Sequence, residues 1–114
     1  MGKAGRFVTD PRAGAYCQVT LDSGEKVIVN HDKGGFKGGL LTIEVSKFMG
    51  FSADRIFACN LDSPWGQSVL AWLTQGAEPG SLVATPLGAM VEFVKDAASV
   101  GELKTRCAVL TSRR

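Results

Sequence analysis

Two hydrophobic periods divide the chain. Up to about residue 61, apolar positions tend to alternate with polar ones; beyond it they recur at helical spacing. Residues 15–21 and 26–30 are rich in β-branched and aromatic side chains, and Asp22-Ser23-Gly24-Glu25 between them reads as a tight turn. With Ser23 and Gly24 as the central turn residues, Val19 opposes Ile28, Cys17 opposes Asn30 and Tyr16 opposes His31. A short strand at residues 6–9 precedes this hairpin, separated from it by a turn that contains Pro11 and Gly14. In residues 40–48, Leu41, Ile43 and Val45 alternate with Thr42, Glu44 and Ser46, which predicts a strand; a helix over 40–49 is the alternative. Residues 55–61 form a further strand.

The second half switches period. Ser63-Pro64 has the N-cap and first-turn proline of a helix, with Trp65, Val69, Trp72 and Leu73 on one face and Gly76 at its end. Residues 77–84 read as a linker. Thr85-Pro86 repeats the start signal, and Leu87, Met90, Val91, Val94 and Ala98 form one stripe with Phe93 beside it. Ser99-Val100-Gly101-Glu102 is a capping box that opens a last helix carrying Val100, Leu103, Cys107 and Leu110. Strands followed by helices imply an α+β fold: a mainly antiparallel sheet of four to five strands in the N-terminal half, with three helices in the C-terminal half packed on one face. The expectation is one domain over 1–114, with 1–5 and 112–114 flexible.

Composition adds exclusions. The 114 residues are 45% hydrophobic and 21% charged, with a net charge of +2, too little for a dedicated nucleic-acid binder. Cys17, Cys59 and Cys107 are far apart and none belongs to a C-x-x-C pair, so a reduced, cytoplasmic protein is expected. No apolar run reaches the roughly 18 residues a membrane helix needs.

Candidate chemistry concentrates between the two halves, in His31-Asp32-Lys33-Gly34-Gly35-Phe36-Lys37-Gly38-Gly39. Clustered glycines let backbone N–H groups converge on an anion, and Lys33 and Lys37 add charge. The loop lacks the Gly-Lys-Ser/Thr and following helix of a Walker loop, and it has no dinucleotide fingerprint, so no cofactor is expected. Gly35-Phe36-Lys37-Gly38 shares the G-x-x-G spacing of KH domains, where that loop joins two helices. His31, the only histidine, is a candidate general base with Asp32, or with Cys17 as a nucleophile, although neighbouring strand residues point to opposite sides. No metal site is expected from one histidine without cysteines at ligand spacing. His31, Lys33, Phe36 and Lys37 are the candidate ligand-binding residues; Phe48, Met49 and Phe51 extend the apolar part of such a pocket. Trp65, Trp72 and Phe93 form an aromatic surplus that points to an oligomer interface, a dimer first.

The segments NHDKGGFKGGL (30–40) and FACNLDS (57–63) match no enzyme signature, and the chain as a whole resembles small bacterial orphan proteins of the integron gene-cassette type. That resemblance implies a bacterial cytoplasmic accessory protein and transfers no functional residue. The leading expectation is a non-enzymatic module that oligomerises and binds a small or anionic ligand or a protein partner. The alternatives are a small enzyme using His31 with Asp32 or Cys17 on an anionic substrate held by the glycine loop and, more distantly, nucleic-acid binding through Lys33, Phe36 and Lys37.

Overall fold

A computed structural model describes residues 1–11, 14–33, 38–47 and 52–113. Five strands come first: β1 (Lys3–Asp10), β2 (Gly14–Thr20), β3 (Lys26–Asp32), β4 (Leu40–Lys47) and β5 (Ser52–Asn60). Each pairs antiparallel with the next, so the sheet order is the chain order, a meander. Three helices follow: α1 (Pro64–Leu73), α2 (Pro86–Lys95) and α3 (Val100–Ser112). This is the α+β arrangement that the two periods predict.

Strand alternation sends one set of side chains toward the helices. Cys17, Val19, Val27, Val29, Leu41, Ile43, Phe57 and Cys59 are buried, and they share a core with Val69, Met90, Val91, Val94, Leu103 and Leu110 of the helices. The alternation over residues 40–47 is therefore that of a strand, β4, whose Leu41 and Ile43 are fully buried. The helix alternative fails because this segment pairs on both sides, with β3 and β5, and its apolar period matches the pleat. β1 starts at Lys3, inside the stretch expected to be flexible, and the Gly2 amide donates to the Lys95 carbonyl at 2.9 Å.

The β2–β3 hairpin corrects the expected register. Its loop has three residues rather than two: Leu21 N–H donates to Glu25 O, Gly24 N–H donates to Leu21 O, and Gly24 has a φ of 89°. A turn closed by a left-handed glycine adds one residue to the loop and moves every cross-strand pair by one. Cys17 opposes Val29 and Ala15 opposes His31, so Cys17 and His31 lie on the same face, toward the helices.

All three predicted N-caps form. Ser63, Thr85 and Ser99 accept through their hydroxyls from the amides of Gly66, Gly88 and Glu102. Glu102 reaches back to the Ala98 amide at 2.7 Å, one residue earlier than a standard capping box. The Val100 amide is claimed instead by Glu25 of the hairpin turn at 3.0 Å, and Ser23 N–H donates to Ala98 O, so this turn clips the start of α3. The hydrogen bond from Val100, then that from the Ser23 hydroxyl, lowers the Glu25 carboxyl below its ordinary 4.5. A lowered carboxyl stabilises the fold above its unfolded pKa and loses that contribution as pH falls through the folded one. Wild-type and Glu25→Gln proteins are thus expected to differ in urea midpoint at neutral pH and to converge in acid. Parallel midpoint-against-pH curves would show that the clip carries no charge-dependent stability.

Helix α2 lies over β1, β2 and β3, the sheet half that ends in His31. Residues 77–84, read as a linker, contain a 3₁₀ turn at Leu82–Ala84 that leads directly into it. Gly88 makes this approach possible, since a Cβ there would overlap the Leu82 carbonyl oxygen. The same device seats α1, where a Cβ at Gly66 would overlap the Asn60 carbonyl oxygen.

Candidate functional site

His31 closes the inner face of β3 and is only 8% exposed. Two glycines with positive φ bracket it. A Cβ at Gly14 (φ 108°) would overlap the His31 carbonyl oxygen, and one at Gly39 (φ 85°) would stand 2.7 Å from His31 Nε2. The imidazole is held by a chain of hydrogen bonds. His31 Nε2 lies 2.9 Å from Gly38 O; Gly38 N–H donates to Asp62 Oδ1 at 3.0 Å; Leu61 N–H donates to Gly39 O at 2.9 Å. The junction of β5 and α1 thereby fixes the carbonyl that fixes the histidine.

The carbonyl also sets the tautomer. A carbonyl oxygen only accepts, so Nε2 carries the proton and the neutral ring presents the Nδ1 lone pair. Nδ1 has no hydrogen-bond partner among the described residues, nor is it a sealed, unsatisfied atom of the interior. His31 lines a cleft of about 330 Å³. On the sheet side Phe7, Thr9 and Ala15 join His31 and Lys33; on the helix side are Leu82, Thr85, Pro86 and Leu87. The volume is at the small end for ligand pockets, and the walls combine apolar surface with a few polar groups, as such pockets do.

The start of α2 contributes one more group. Pro86 has no N–H, the Gly88 amide is capped by Thr85 Oγ1 and the Ala89 amide donates to Thr85 O. The Leu87 N–H has no acceptor among the described residues, and it sits at the positive end of the helix dipole.

The expected catalytic partners are not brought to the imidazole. Asp32 is exposed on the opposite side of β3, as strand geometry requires. Cys17 shares the face of His31, but its sulfur lies 3.6 Å from the carbonyl oxygens of Gly5 and Gln18, and burial raises its pKa. Cys107 is pushed up to about 11 by burial, and all three cysteines are buried and outside any disulfide. Such thiols are poor nucleophiles. Phe36 and Lys37, with Phe48, Met49 and Phe51, lie outside the described residues. Among the described residues no three His, Cys, Asp or Glu side chains converge as a metal cluster would. No helix among them is long and apolar enough to cross a membrane.

The aromatic surplus is largely absorbed by the chain itself. Phe93 is 6% exposed, with the Arg106 guanidinium 4.6 Å above its ring, so it has almost no surface left for a partner. Trp65 is half-buried: its edge meets Phe57 at 5.9 Å and its Nε1–H donates to Leu110 O at 3.3 Å. Trp72 is 37% exposed, edge-on to Phe93 at 6.2 Å, and Arg113 stacks on it at 4.7 Å. Two of the three residues expected at an oligomer interface are therefore chiefly packing residues of the fold.

The cleft brings His31 and Lys33, two of the candidate ligand-binding residues, together with Phe7, Thr9, Ala15, Leu82, Thr85 and Leu87, which the sequence does not single out for binding. The Thr85-Pro86 signal was legible as a helix start. That the helix would start over the end of β3 was not. No protein-family model, curated protein or solved structure matches this chain.

Proposed function

We propose that this protein is a small-molecule-binding module whose site is the cleft between β1–β3 and the start of α2. One observation carries the reading: a nearly buried imidazole, fixed in one tautomer by a backbone carbonyl, has its other nitrogen unpartnered and lines a cleft. Nδ1 is not sealed in the interior, so a donor group on a ligand can reach its lone pair. Binding is favoured over turnover because, among the described residues, no thiol or carboxylate side chain lines the cleft with His31. The earlier pairing of His31 with Asp32 or Cys17 gains no support from the positions of those residues.

Amide chemical-shift mapping with a diverse fragment library tests this. Hits are expected to move the resonances of Ala15, His31, Lys33, Leu82 and Leu87 together. Ala15→Phe, which fills the cleft from the sheet side, is expected to weaken these hits at least tenfold while preserving the spectrum elsewhere. A library whose hits all map to other surfaces, or none that bind, would reject the assignment.

A further inference from the structure

The polar groups of the cleft specify a class of ligand. This step rests on the cleft being the binding site. Three features define the chemistry. With Nε2–H on the Gly38 carbonyl, the neutral form of His31 offers a lone pair at Nδ1, which calls for a donor. Lys33 and the uncapped Leu87 N–H call for negative charge, and no acidic side chain is among the described lining residues. Phe7, Ala15 and Leu82 supply apolar wall between them. His31 is more than nine-tenths buried, and its Nδ1 has no partner among the described residues.

We propose that the cleft selects a small carboxylate with an apolar body and a hydroxyl or N–H donor, the donor bonding to His31 Nδ1 and the carboxylate held by Lys33 and the Leu87 amide. A simple carboxylate lacking the donor would leave the Nδ1 lone pair unsatisfied. A neutral analogue would forgo the charge-assisted hydrogen bonds, which are the stronger ones. A cationic analogue would meet Lys33.

The test uses the full chain and four sets of probes of similar size: the three hydroxybenzoate isomers, benzoate, the matching hydroxybenzamides and hydroxybenzylamines. Affinity is read by titration, with the amides of Ala15, His31 and Leu87 reporting the location. At least one hydroxybenzoate is expected to bind in the cleft about tenfold more tightly than both benzoate and its own amide, and the benzylamines weakest. Lys33→Met is expected to erase the preference for acid over amide without moving the site. Equal binding of acid, amide and amine at these resonances would overturn the ligand class and leave the cleft as a site. Absence of shifts at Ala15, His31 and Leu87 with every probe would overturn the class as well; the fragment screen then decides separately whether the cleft binds anything.

Discussion

Gly88→Ala is expected to cost about 2–4 kcal/mol of stability and to lower the melting temperature by roughly 10 °C or more. Helix propensity alone argues the other way, since alanine is favoured over glycine in a helix by roughly 1 kcal/mol. Space decides the sign. The added methyl would overlap the Leu82 carbonyl oxygen and stand 2.9 Å from Thr85 Oγ1, the atom that caps the helix. Neither is the free end of a flexible side chain. Relief requires the 3₁₀ turn to move away from α2, and Leu82 and Thr85 both line the cleft, so the variant should also weaken whatever fragment hits the proposed site gives. Gly101→Ala provides the control. Its Cβ would meet nothing closer than Ser99 Oγ at 3.8 Å, and it lies in the first turn of α3, so it should stabilise by about 0.5 kcal/mol. Chemical denaturation of the two variants checks both signs. If both stabilise, the close packing of α2 against the 3₁₀ turn is wrong.

Met90→Ala should be at least as damaging, at about 2–5 kcal/mol. Met90 is fully buried in α2, the helix that covers β1, β2 and β3, and belongs to the same cluster as Val19, Val27, Val29 and Ile43. Truncation removes the transfer free energy of three heavy atoms and leaves a void that strands on a hydrogen-bonded sheet cannot collapse into. Met90→Leu keeps the volume and should cost less than about 1.5 kcal/mol. Urea midpoints of the three proteins provide the measurement, and a Met90→Ala loss below that of Met90→Leu would place Met90 outside the core.

The two predictions locate what was legible. Hydrophobic period alone separated a strand half from a helical half, because side chains alternate across a pleat and recur every three to four residues around a helix. Helix starts were legible for a local reason: a hydroxyl followed by a proline, or by a glutamate three residues on, satisfies orphan amides within one turn. The β2–β3 register was not. A loop of two residues and one of three fit the same letters, and the choice fell to Gly24 adopting a positive φ while Glu25 bonded to α3, about 75 residues away along the chain. With that register went the relation of Cys17 to His31.

The sequence by itself determined the fold class, the helix caps and the identity of the lone histidine, all properties of neighbours within a few positions. Only the tertiary structure decided where His31 sits and what surrounds it. Its tautomer depends on Gly38, whose position depends on Asp62; its cleft depends on Phe7 from the first strand and on Leu82 to Leu87 from the second half of the chain. These groups meet because α2 can descend onto the sheet at Gly88 and because Gly14 and Gly39 leave room for the histidine backbone and ring. Contacts between residues so far apart in sequence follow from packing and loop closure, and no local pattern encodes them.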